Sequence, residues 1–416
     1  MTHRPSLVVL STLLALALTG CVEPATSPPD AATPDASSDH GAIDGAEEVA
    51  EPPLHLVVID AAGSASMLDL LGGAVTDLEP FDAPSRVATD GRYVFALNTQ
   101  GVEILDSGVW TWDHVDHFHF YRAEARSIGS VPGAGIAEVS SGPLSTAGST
   151  GLFFPDSGEA VLVDNAALSR GRIVETLRVD TGARNGLIAP LGTGALVTEA
   201  SAGSRADRLR VIDATGVEGD GVACDDPAGS ITTRVGVVVG CANGAVLAVE
   251  HDGGDVSLDL LTYPSGVAAP ATTFSARKGR PTVAGLGPDA GTWLLDSRER
   301  AWSWIPSETR LLAAASIDND AGHVVTVGVD GVVRVHSAST GSLLAETEPL
   351  LGDTLLEAQE HPELIDGVTL AVDANRAYVN APAEGVVYEI DYADGARIAR
   401  VLETDARPVH VAEVGR

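Results

Sequence analysis

From residue 54 onward, short runs of Val, Leu, Ile and Ala alternate with turns that contain Gly, Asp or Asn. Two such runs joined by a tight turn, the second closing near an acid or a histidine, occur at 93–106, 151–164, 237–250, 323–336 and 377–391. Partial copies end at Asp213 and Asp296. Alternating hydrophobicity around Asp-Gly, Asn-Gly and Glu-Gly pairs is the signature of β-hairpins. The hairpin ends recur at roughly 40–58 residues, the blade period of a β-propeller. A strand at 55–60 has no partner before it, and the segment 407–415 has no hairpin after it. The two would complete one blade and close the ring, which removes an exposed sheet edge. The pattern predicts an all-β propeller of eight blades, or seven if insertions blur the repeat, over residues 54–416. Helical periodicity is nearly absent, and one short helix is expected at 354–363.

The first 53 residues follow another logic. A basic start at Thr2-His3-Arg4 precedes an apolar run from Leu7 to Leu18 and then Leu18-Thr19-Gly20-Cys21. The run is too short to span a bilayer and reads as a signal peptide over 1–20. Its end resembles the bacterial lipobox, which implies cleavage before Cys21 and lipid attachment to that residue. Residues 21–53 are rich in Pro, Ala, Ser and Asp and read as a disordered, acidic tether between lipid and domain. The expected location is the cell envelope, on the outer face of the membrane, with contact to lipid only through the anchor.

Charge narrows the partners. The chain carries 58 acidic against 25 basic residues, a net of −33. Nucleic acid and anionic lipid surfaces would repel it, while cations would concentrate around it. The one lysine, Lys278, is followed by Gly279-Arg280, which excludes a P-loop. With Cys21 lipidated, Cys224 and Cys241 remain, and in an oxidising compartment they read as a disulfide. A cysteine metal site is the weaker alternative, because no Cys-x-x-Cys spacing exists.

Candidate chemistry concentrates in one stretch, from Trp110 to Glu124. Three of the 11 histidines, His114, His117 and His119, fall within six residues, with Asp113 and Asp116 beside them. Read as one regular strand, Asp113, Val115, His117, His119 and Tyr121 share a face. His117 and His119 would then project about 7 Å apart along the strand, close enough for two imidazoles to converge on one ion. His114 and Asp116 would join only through a bulge or loop. Because the stretch follows the hairpin ending at Asp106, it is expected on the outer strand of its blade. Further donors would come from His251, His323, His336, His361 or His410.

The run 102–124, followed by Gly151-Leu-Phe-Phe154, resembles the AztD family of extracytoplasmic zinc metallochaperones, β-propellers that hand zinc to the solute-binding protein of a zinc ABC importer. The Cys224/Cys241 pair also looks like that family. The resemblance implies Zn2+ as cargo, His117 and His119 as ligands, and His114 and Asp116 as contributors. After the signal peptide, only His40 and His55 lie before or at the first propeller strand here, where family members carry a longer His-rich segment.

Imidazoles with a carboxylate suit zinc, with Cu(II) a competitor by intrinsic affinity. Acidic surface around the site is expected to favour a partner of complementary charge. Two other readings compete with the chaperone. One is a metal-independent, lipid-anchored interaction propeller in which the histidines are structural. The other, an enzyme, is least favoured, since neither His-Glu-x-x-His nor Gly-x-Ser-x-Gly occurs.

Overall fold

The computed structural model describes residues 43–113, 117–265 and 269–416. The signal peptide over 1–20, the lipid site at Cys21, His40, and the candidate ligands His114 and Asp116 lie outside the described residues.

Every sheet among the described residues is antiparallel and small. Eight have four strands and a ninth has three. The second sheet illustrates the pattern. Its strands Arg86–Thr89, Tyr93–Asn98, Gly101–Asp106 and Arg126–Pro132 pair in chain order. Five further sheets repeat this up-and-down order from Glu138–Ser141 through Leu343–Glu346, and Leu370–Val372 to Arg397–Glu403 form another. The remaining four-stranded sheet joins the chain's two ends. His410–Val414 pairs with His55–Ile59, which continues into Ala65–Asp69 and Val75–Asp77. The architecture is all-β and consistent with a β-propeller.

Inner strands are buried on both faces, which is why they read as nearly continuous apolar runs. In Tyr93–Asn98 the odd positions Tyr93, Phe95 and Leu97 pack with Leu152, Phe154 and Val161 of the following sheet. The even positions Val94 and Ala96 pack with Val57, Ile59 and Met67 of the preceding one. Period-2 alternation therefore serves two neighbouring sheets rather than a core and a solvent face. The same arrangement packs Tyr378 and Val387 against Leu56 and Val58, so the last sheet in sequence also has the first as its neighbour.

Two local differences from the sequence reading have physical causes. The tether was expected to run through residue 53, yet Glu47–Val49 form a strand against Phe118–Arg122. Three largely exposed residues bury no core, so no apolar pattern announces them. The strand exists because a neighbouring edge supplies backbone partners. The helix expected at 354–363 is two, Gly352–Glu357 and Glu363–Asp366, divided at Pro362. A proline has no N–H to continue the first helix and fits the start of the second.

Cys224 and Cys241 form a disulfide with Cα atoms 5.1 Å apart. It ties the end of the fourth sheet to the second strand of the fifth.

Candidate metal centre

The His-rich stretch is an insertion within the second sheet, not its outer strand. The outer strand is Arg126–Pro132, and the chain first makes a hairpin of Val109–Asp113 and Phe118–Arg122. Gly108 closes the base of this hairpin. Its φ is +74°, and a Cβ there would meet the Ala123 carbonyl oxygen at 2.4 Å. That carbonyl-side approach lets the Ala123 N–H donate to Gly108 O at 2.6 Å, pinching off the insertion. A side chain at 108 would oppose both the backbone conformation and the contact.

The hairpin is anchored by one buried charged pair. Arg92 donates from Nε and Nη2 to the two carboxylate oxygens of Asp106, each at 2.8 Å. Both side chains are almost wholly buried. The guanidinium also lies 3.8 Å from the ring centre of the buried Trp110. Trp110 stacks on Tyr121 across the hairpin at 5.2 Å. A bidentate pair against an indole face fixes the direction in which the hairpin leaves the sheet.

Register then sorts the side chains. Trp110 opposes Tyr121 and Trp112 opposes His119, while Asp113 opposes Phe118. His119 and Tyr121 share one face, and their rings stack at 6.3 Å. Phe118 and Phe120 form a stacked pair on the other face, with Phe118 exposed. Asp113 does not share the face of His117 and His119, as one continuous strand would require. The chain reverses after it, and its carboxylate lies 3.6 Å from Arg234 instead.

His117 and His119 do come together. Their Nε2 atoms are 2.9 Å apart, and the ring centres 4.8 Å. The other nitrogen of His119, Nδ1, lies 2.7 Å from Oε1 of Glu48 on the strand Glu47–Val49. A carboxylate accepts only, so Nδ1 of His119 is the donor to Glu48, and in the neutral imidazole Nε2 then holds the lone pair. With that tautomer, Nε2 of His117 is the donor across the 2.9 Å contact. Two nitrogens on one tetrahedral zinc at about 2.0–2.1 Å would be about 3.3 Å apart, so the pair has only a few tenths of an ångström to open. A carboxylate on the far nitrogen of a ligating imidazole is the usual companion of zinc-bound histidine. Glu48 was missed by sequence reasoning because it fell within the expected tether.

Among the described residues, no group of three His, Cys, Asp or Glu side chains is placed to hold a metal ion. The remaining histidines are engaged elsewhere. His251 bonds Ser257, His323 bonds Asn319, His361 pairs with Glu363, and His410 contacts the Pro84 carbonyl. His336 is buried in the seventh sheet.

The hairpin lies against the first and the fifth sheets. Thr111 Oγ1 donates to the Gly415 carbonyl at 2.7 Å, and Arg122 reaches Asp69 at 3.4 Å. Arg234, on the far side, belongs to the turn after Ala228–Thr232. The site is thus exposed at a hairpin tip but held from two sheets besides the one it is inserted in. No helix among the described residues is long and apolar enough to cross a membrane.

These features describe a propeller-type all-β scaffold carrying a paired-imidazole hairpin. The fold is AztD-like: the crystal structure of AztD from Citrobacter koseri superimposes with a TM-score of 0.72 at 18% identity, covering 87% of this chain and 97% of that one. Apo AztD from the same organism gives 0.71 at 19% identity over the same shares. The computationally designed protein Ika8 gives 0.51 at 13% identity, covering 83% and 95%. No protein-family model matches the sequence, and no curated protein matches it.

Proposed function

We propose that the protein is an extracytoplasmic zinc-binding metallochaperone that delivers zinc to the solute-binding protein of a zinc ABC importer. The observation that carries this reading is the facing Nε2 pair of His117 and His119, with Glu48 on the far nitrogen of His119, at an exposed tip. Two imidazoles of this kind would hold the cargo ion, and His114 and Asp116 are the further donors proposed from sequence. A two- or three-nitrogen site open on one side suits transfer, because an acceptor's ligand can enter before the ion leaves. The AztD-like fold supports the same assignment. No catalytic role is proposed.

The scaffold is read as an eight-bladed ring closed by the pairing of His410–Val414 with His55–Ile59. Eight four-stranded sheets, and the packing of Tyr378 against Leu56, favour eight blades over seven. Lipidation at Cys21 would hold the ring at the outer face of the membrane.

One observation favours the competing reading of a metal-independent interaction protein. His117, His119 and Glu48 are linked to one another by hydrogen bonds, as structural side chains would be. Zinc titration by competition with a chromophoric chelator separates the two. The chaperone reading expects one tightly held zinc, lost in His117→Ala/His119→Ala with circular dichroism unchanged. Zinc binding indifferent to that double substitution would leave the interaction protein standing.

A further inference from the structure

The surface beside the hairpin tip reverses the character of the chain. Two turns, 233–236 and 276–281, hold Arg234, Arg277, Lys278 and Arg280 and no acidic residue, in a protein of net charge −33. They form one platform. Thr233 and Gly279 make a parallel bridge, and both the backbone N–H and Nε of Arg234 donate to the Gly279 carbonyl, at 3.1 and 3.3 Å. The second turn is fixed from the other side as well, since Arg277 N–H donates to Ser316 O at 2.8 Å. Lys278 points inward, its Nζ donating to the Arg416 carbonyl at 2.9 Å. Arg277 and Arg280 are half-buried, and Arg234 is more than half exposed. The platform already takes one carboxylate, because Arg234 lies 3.6 Å from Asp113 of the hairpin.

Resting on the zinc reading of His117 and His119, we propose that this platform is the docking surface for an acidic segment of the zinc acceptor, whose carboxylate displaces Asp113 from Arg234. Any acceptor that takes the ion from the hairpin must approach the tip that Arg234 flanks. Over most of the surface an acidic segment is repelled, so a basic platform next to the cargo steers it there. A basic partner would instead be attracted across the whole molecule, with no preference for the tip. Displacing Asp113 removes one tie on the hairpin at the moment the acceptor arrives, which couples docking to release. The expected partner charge is therefore set by the platform, not by the acidic surface that the composition suggests.

The test uses two synthetic acceptor peptides, each with two histidines, one flanked by Asp and Glu and the other by Ser and Asn. Zinc transfer from the loaded protein is followed by stopped flow. The acidic peptide is expected to take zinc about tenfold faster at low salt, with the advantage shrinking as salt screens the charges. Arg277→Glu/Arg280→Glu should abolish the advantage while zinc stoichiometry stays the same, and Arg277→Gln/Arg280→Gln should reduce it. Equal rates for the two peptides on the native protein, or an advantage that persists in the Glu variant, overturns the docking surface. If the protein binds no zinc, the chaperone reading fails by itself. Fluorescence anisotropy of the labelled peptides on metal-free protein then decides the platform. Salt-sensitive binding of the acidic peptide, lost in the Glu variant, supports it, and equal binding of the two peptides refutes it.

Discussion

Glu48 and His119 are 71 residues apart in sequence and 2.7 Å apart in space, carboxylate oxygen to Nδ1. The contact sets which nitrogen of His119 faces His117. Without the carboxylate, the imidazole is free to protonate Nε2 or to turn. Glu48→Gln keeps the shape but removes the charge and the obligate acceptor. Loss of such a partner to a ligating histidine costs roughly 10–100-fold in metal affinity. Glu48→Gln is therefore expected to weaken zinc binding by about tenfold or more at unchanged stoichiometry, read by chelator competition. An unchanged affinity would mean that His119 does not ligate through Nε2.

The Arg92–Asp106 pair is expected to matter for stability far more than the exposed pairs of the same hairpin. Arg92→Ala leaves the buried Asp106 with the Gly108 N–H at 3.1 Å and, as its nearest remaining cation, the half-exposed Arg126, whose Nη2 is 3.4 Å away. Breaking one partner of a buried pair costs about 3–5 kcal/mol. Asp113→Asn, which breaks an exposed contact, should cost about 0–1 kcal/mol. Urea unfolding of the two variants checks the ranking, and comparable losses would refute the role assigned to Arg92.

What the sequence made legible, and what it did not, follows from burial. Strands such as Tyr93–Asn98 and Val237–Cys241 are nearly continuous apolar runs ended by turns, because both faces pack on neighbouring sheets. Such runs can be read directly, as can the pairing of two lone cysteines. His117 and His119 were legible by spacing. The reversal of the chain between Asp113 and Phe118 was not, because strong β-formers line both arms and no Gly or Pro marks the turn. Glu48 left no signal, since a three-residue exposed strand is held by backbone pairing alone. The platform around Arg234 depends on turns from separate sheets meeting, which no local pattern encodes.

The disulfide should act on stability and leave the proposed metal site alone. Cys224 and Cys241 are 17 residues apart. Closing a loop of that size is worth about 3 kcal/mol in the chain-entropy model. The bridge lies in the fourth and fifth sheets and touches neither the hairpin nor Glu48. Cys224→Ser/Cys241→Ser should lower the urea midpoint by an amount of that order while the zinc titration is unchanged. A variant that loses zinc but not stability would contradict the arrangement described above.

Glu413 gives a pH dependence whose sign can be worked out. Its side chain is fully buried in the strand His410–Val414. Burial pushes its carboxyl up to about 7, the repulsion of Asp373 adds to this, and the Arg416 guanidinium opposes both. Because the folded value lies above the ordinary one of 4.5, the native state holds a proton that the unfolded chain has already released. Stability from this group is therefore complete below about pH 4.5 and is lost as pH rises through about 7. Buried His55, His336 and His410 have the opposite sign, since desolvation lowers each of them and stability falls when they are forced to charge in acid. Comparing the native protein with Glu413→Gln isolates the carboxyl, because the histidines are common to both. The stability of the variant relative to the native protein should climb from pH 5 to above pH 7, by about 2–3 kcal/mol in all. Urea unfolding at pH 5, 6, 7 and 8 measures the difference. A flat difference across that range would mean that Glu413 is already ionised in the fold and that Arg416 outweighs its burial.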